Sequence, residues 1–148
     1  MGETAMASIV LADDDEDLRA VYAPCLRAAG HAVQEASGGS EALDLVRRHR
    51  PGLLILDVWM PQVSGFEVLE QLRHDPASSG LKVMMLSNLG DADTRLECFA
   101  MGAVDYVVKG LALAELLDRV ARLLDEGPAP TAGTGIRPET GPGADPAR

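Results

Sequence analysis

Aromatic side chains are scarce in this chain: one Trp, two Tyr and two Phe among 148 residues. Its core must therefore be built from aliphatic side chains. Cysteine is nearly absent as well. Cys25 and Cys98 stand far apart, with no CxxC pair and no neighbouring His. That excludes a disulfide framework or a zinc finger, and both thiols are expected to be buried, reduced, small hydrophobes. His31, His49 and His74 show no metal-ligand spacing. Basic residues are outnumbered 13 to 23 by acidic ones, for a net charge of −10. A nucleic-acid footprint needs the opposite balance, so direct DNA binding is not expected. No apolar run is long enough for a membrane span, and the opening MGETAMAS lacks a basic stretch leading into an apolar one. Neither a span nor a secretion signal is expected, and the chain reads as cytoplasmic.

What is present is regular alternation. Apolar runs that suit strands occur at SIVLA, HAVQEA, LLILDV, KVMMLS and DYVVK. Helical periodicity fills the intervals: Leu18, Val21, Tyr22, Cys25, Leu26 and Ala29 first, then Ala42, Leu45, Val46 and His49. Leu96, Phe99, Ala100 and Ala103 follow later, and last Leu113, Leu116, Leu117, Val120, Leu123 and Leu124. Gly30 and Gly102 suit helix stops, and Pro76 follows the helix GFEVLEQLRHD. Pro24 predicts a kink or an early break in the first helix. The pattern is (βα)5, an α/β fold with a parallel sheet covered on both faces. Composition changes at Gly127, after which 10 of 22 residues are Pro or Gly and only Ile136 is a large aliphatic. The expected organisation is a flexible N-terminus (1–6), one folded domain (7–126) and a disordered tail (127–148).

The polar residues fall in one place on that scaffold. Asp13 and Asp14 follow the first strand, and Asp57 ends the apolar part of the third. Ser87 closes the fourth strand and Lys109 the fifth. All five lie at the carboxyl ends of parallel strands, where open α/β sheets bind ligands. Each alone has an ordinary explanation, a helix cap for Asp13 or Asp14 and a surface residue for Lys109. Together they make a pocket of three carboxylates. Two carboxylates about 4 Å apart repel by roughly 4 kcal/mol at an effective dielectric of 20, and a single Lys cannot neutralise three. Oxygen-only donors of this kind suit Mg²⁺. Asp57 beside a bound cation suits nucleophilic attack on phosphorus, with Lys109 and Ser87 meeting the transferred oxygens.

At these residues the sequence resembles the receiver domain of two-component response regulators. The likeness covers about residues 7–126 and rests on SIVLADDDEDLR, LLILDVWMPQVSGFEVL, KVMMLSN and GAVDYVVKG. It implies a flavodoxin-like fold, a doubly wound five-stranded parallel sheet in the order 2-1-3-4-5. It implies that Asp57 is the phosphoacceptor and that Mg²⁺ is held by Asp14 directly, by Asp13 mainly through water, by Asp57 and by the backbone carbonyl of Trp59. Ser87 and Lys109 are then the groups that bind the phosphoryl, and Ser87 and Tyr106 the pair that switches. The implied donor is a sensor histidine kinase or phosphotransfer protein. The implied readout is altered binding of a downstream protein at the surface of helix four, strand five and helix five. Whether phosphorylation pairs two copies is left open. Such a chain is no enzyme beyond its own phosphorylation and dephosphorylation, and the expectation here is a stand-alone switch with no DNA-binding output domain.

This sequence departs from the family pattern in three places. Gly110 follows Lys109 where Pro is common, so a trans Lys109–Gly110 bond is expected. Asn88 follows Ser87 where a small residue is usual, either to hydrogen-bond the phosphoryl or to narrow its entrance. Trp59 is bulky beside the acceptor, and either shields it from water or packs at the rim. Tyr106 likewise has a plain packing alternative. The alternative function, a small-molecule phosphatase with an aspartate nucleophile, wants a second acid two residues after Asp57, where Trp59 stands. A flavin- or nucleotide-binding module needs a Gly- or hydroxyl-rich loop where ADDDED is found.

Overall fold

The computed structural model describes residues 7–88 and 90–126. The apolar runs form β1 (Ser8–Ala12), β2 (Ala32–Ala36), β3 (Leu53–Asp57), β4 (Val83–Ser87) and β5 (Asp105–Val108). Each strand is followed by a helix: α1 (Glu16–Ala28), α2 (Gly39–His49), α3 (Gly65–His74), α4 (Ala92–Ala100) and α5 (Leu113–Asp125). All strand pairs are parallel, in the order β2-β1-β3-β4-β5. This is the flavodoxin-like arrangement, and its winding reverses between β1 and β3, which opens a crevice at the carboxyl ends.

Every residue of β3 and β4 is buried, because helices cover both faces of the sheet. Side-chain alternation divides the core in two. Ile9, Leu11, Ile55, Met84 and Leu86 pack with Tyr22 and Leu26 of α1 and with Leu116 and Val120 of α5. Val10, Leu54, Leu56 and Met85 pack with Leu45 and Val46 of α2 and Val68 and Leu69 of α3. Tyr106 is the one aromatic residue in the five strands. Gly30 and Gly102 follow the C-caps of α1 and α4 with φ of +102° and +99°, as the stop signals require.

Several expectations need correction. α1 does not break at Pro24 but continues to Ala28. Pro24 is exposed, and Tyr22, Ala23 and Leu26 around it are buried, so packing holds the helical course despite the lost hydrogen bond. Val21, assigned to the inner face of α1, is 52% exposed. The α4 stripe is turned the other way: Leu96 is 67% and Phe99 37% exposed, and Thr94 and Cys98 are the buried residues. Cys98 is buried as expected, but Cys25 is only partly so. The first helix is capped by Asp15, which accepts from the amides of Asp17 (3.0 Å) and Leu18 (3.3 Å), and not by Asp13 or Asp14. β5 ends at Val108, one residue before Lys109. The Lys109–Gly110 bond is trans, and Gly110 takes a φ of +98°, a region closed to proline. The flexible terminus (1–6) and tail (127–148) expected from composition lie outside the described residues.

Candidate functional site

Register brings the strand ends level. Ala12 pairs with Ala36 and Leu56, Asp57 with Leu86, and Ser87 with Val108. The residues predicted to act therefore converge on one edge of the sheet. Asp13 is fully buried just past β1. Its amide donates to the Ala36 carbonyl (3.1 Å), its carbonyl accepts from Arg19 Nη1 (2.6 Å), and its Oδ1 accepts from the Asp15 amide (2.9 Å). Its Oδ2 is buried and makes no hydrogen bond of normal geometry; the Lys109 ammonium stands 2.9 Å away. Asp57 is 3% exposed at the end of β3, and its Oδ1 lies 3.2 Å from the same ammonium. Asp14 is exposed at the pocket mouth. One carboxylate oxygen from each of Asp13, Asp14 and Asp57 falls within 4.8 Å of the others.

Ser87 is fully buried, and its carbonyl accepts from the Lys109 amide at 2.7 Å, which ties the end of β4 to the residue that carries the pocket's ammonium. Tyr106 is 3% exposed, so its ring is turned into the protein. Asn88 is exposed. Trp59 is 53% exposed; its amide donates to Asp57 Oδ1 at 3.4 Å, and its ring meets Phe66 edge-on at 5.3 Å. The ring thus packs on α3 at the rim.

The electrostatics follow from this crowding. Burial, reinforced by the charge of Asp13, pushes Asp57 from the ordinary 3.8 up to about 7, against the opposing pull of Lys109. For Lys109, burial works against the charge, but contacts with Asp13 and Asp57 outweigh it and hold the ammonium above its ordinary value. Three acids thus face one base. A hard divalent cation with oxygen ligands fits this donor set, because one ammonium leaves three clustered carboxylates short of positive charge.

Sequence reasoning passed over two contributors. Gly65 opens α3 against the end of β3: a Cβ there would stand 2.3 Å from the Asp57 carbonyl oxygen, and its amide donates to the Val58 carbonyl at 2.8 Å. A glycine at the first position of a helix, where propensity is poor, was the available signal. Arg19, which grips Asp13, looks in sequence like any polar residue on a helix face.

The chain matches the response regulator receiver domain family over residues 9–121. Its curated relatives include the DNA-binding dual master transcriptional regulator RpaA of Synechocystis sp., 35% identical over 119 residues, which cover 80% of this chain and 49% of the relative. Response regulator MprA of Mycobacterium sp. is 38% identical over 125 residues, 81% of this chain and 54% of the relative. The chain thus spans about half the length of these relatives. Among solved structures, the chemotaxis protein CheY4 of Vibrio cholerae has a TM-score of 0.76 at 30% identity, covering 80% of this chain and 99% of that one. A response regulator from Chloroflexus aurantiacus has a TM-score of 0.76 at 32% identity, covering 80% and 97%. The fold, the acidic strand-end pocket and these matches agree: this chain belongs to the response regulator receiver family of two-component systems.

Proposed function

We propose that this chain is a phosphoacceptor switch, with Asp57 receiving a phosphoryl group from a histidine kinase or phosphotransfer protein. The observation that carries the reading is a strand-end carboxylate, almost wholly buried, held within reach of two more acids and one ammonium. Burial at that cost is supported by use. An Asp57 carboxylate oxygen attacks the phosphorus of a phosphohistidine, the new O–P bond forms as P–N breaks, and the imidazole leaves with the electron pair and takes up a proton. Lys109 pulls Asp57 toward its nucleophilic, ionised form, against burial and the charge of Asp13, and then pairs with the phosphoryl oxygens. Asp13, Asp14, Asp57 and the Trp59 carbonyl are the groups that would hold Mg²⁺. Bound there, the ion supplies charge neutralisation and orientation for phosphoryl transfer.

Phosphoryl at Asp57 favours whichever arrangement of Ser87 and Lys109 contacts it best, and Tyr106 follows the space that Ser87 leaves. The readout surface is the face of α4, β5 and α5. Leu96, Phe99, Val108 and Leu113 are all exposed there, and a downstream protein that buries them gains the usual apolar driving force. The net charge of −10 supports protein contact over direct nucleic-acid contact by these residues. Beryllium fluoride with Mg²⁺, a phosphoryl mimic, tests the reading by amide spectra. Shifts should spread from Asp57, Ser87 and Lys109 to the α4–β5–α5 face, and unchanged spectra would oppose it.

A further inference from the structure

We infer that Arg19 is a positioning residue of the cation pocket: it fixes the peptide that joins Asp13 to Asp14 and so sets how both carboxylates present themselves. The inference rests on the reading of the pocket as a Mg²⁺ site. The carbonyl that Arg19 Nη1 grips at 2.6 Å belongs to that peptide. A peptide is planar, so holding its oxygen restrains the last backbone torsion of Asp13 and the first of Asp14 together. Arg19 is itself anchored, because its Nε donates to Glu35 Oε1 at 3.3 Å and its side chain is only 15% exposed. The two bonds leave from separate nitrogens, Nε and Nη1, held in one plane by the guanidinium, a spaced pair of donors that a single ammonium nitrogen lacks.

The restraint is complete on three sides. Amide, carbonyl and Oδ1 of Asp13 are engaged by Ala36, Arg19 and Asp15. Oδ2 is buried on the pocket side, where it meets the Lys109 ammonium at 2.9 Å. That is the geometry of a ligand oriented by its supporting contacts before the ion arrives. Arg27 is an internal comparison. It stands on the same helix, reaches the same Glu35 at 3.3 Å and bonds the Val33 carbonyl at 2.8 Å. It braces α1 on β2 as Arg19 does, and no bond links it to Asp13.

The test is Mg²⁺ titration of the full chain by calorimetry and by Trp59 fluorescence, in wild type, Arg19→Ala, Arg19→Lys and Arg27→Ala, with thermal melts of each. Arg19→Ala should bind Mg²⁺ about 10-fold or more weakly, the usual loss when a supporting contact of a metal ligand goes. Arg19→Lys should fall between Arg19→Ala and wild type, and Arg27→Ala should match wild type. At saturating Mg²⁺, Arg19→Ala should recover its rate of labelling by acetyl phosphate. A brace with no positioning role would lower the melting temperature of Arg19→Ala and leave its Mg²⁺ affinity unchanged, which overturns the inference alone. If Arg19→Ala does not fold, an Arg19→Lys affinity equal to wild type overturns it. A wild-type chain with no Mg²⁺ response overturns the Mg²⁺ reading and this inference together.

Discussion

The ammonium of Lys109 stands between two buried carboxylates, 2.9 Å from Asp13 Oδ2 and 3.2 Å from Asp57 Oδ1. It is the counter-charge that lets two acids share one pocket without a metal. Lys109→Ala should therefore destabilise the metal-free protein, on the order of 3 kcal/mol at pH 8, because a buried charge pair loses one partner. Protonation of Asp57 relieves the repulsion, so the loss should be smaller at pH 6. Excess Mg²⁺ should restore much of it. Thermal melts at the two pH values, with and without Mg²⁺, check all three statements.

Asp57 makes the pH dependence run opposite to that of most carboxylates. Its folded value, about 7, lies above the ordinary 3.8. The folded state thus binds the proton more tightly than the unfolded one between those values, and this group's contribution to stability falls as pH rises from about 4 to 7. Asp57→Asn removes that slope. The variant should melt higher than wild type at pH 8, on the order of 1 kcal/mol or about 4 °C, and the difference should shrink toward pH 5. Proton competition also predicts weaker wild-type Mg²⁺ binding at pH 6 than at pH 8.

Gly65 makes room for the backbone of Asp57 and Val58. Gly65→Ala places a methyl carbon 2.3 Å from the Asp57 carbonyl oxygen, and backbone on both sides leaves little to give. A loss of about 1–3 kcal/mol is expected, together with slower labelling by acetyl phosphate as Asp57 shifts. Gly80→Ala, where a Cβ meets nothing within 4 Å, is the control.

Trp59 stands two residues from Asp57 with its ring against Phe66. Trp59→Ala should shorten the life of the phosphoryl adduct severalfold if the ring also screens the acceptor from water. An unchanged decay rate assigns the ring to rim packing alone.

The sheet was legible because β3 and β4 are buried throughout, so their apolar runs carry the signal directly. The site was legible for a related reason: an acid or ammonium at the end of an apolar run stands out. α4 was misread because Leu96 and Phe99 sit on an apolar face exposed to solvent, while Thr94 and Cys98 face inward. Periodicity finds a stripe and cannot say whether the protein or a partner covers it. Asp15 as the cap was hidden in a run of five acids, Asp13 to Asp17, in which Asp13, Asp14 and Asp15 all have the right chemistry. Arg19 and Gly65 act through backbone atoms of Asp13 and Asp57, and such contacts leave no mark in hydropathy or spacing.

The central claim is that Asp57 accepts phosphoryl in a cation-dependent way. Intact mass after incubation with acetyl phosphate and Mg²⁺, beside Asp57→Asn and a metal-free sample, tests it most directly. The account predicts a single phosphoryl adduct on wild type, absent from both controls. An adduct that persists in Asp57→Asn, or no adduct from either acetyl phosphate or a phosphorylated kinase with Mg²⁺ bound, would contradict it.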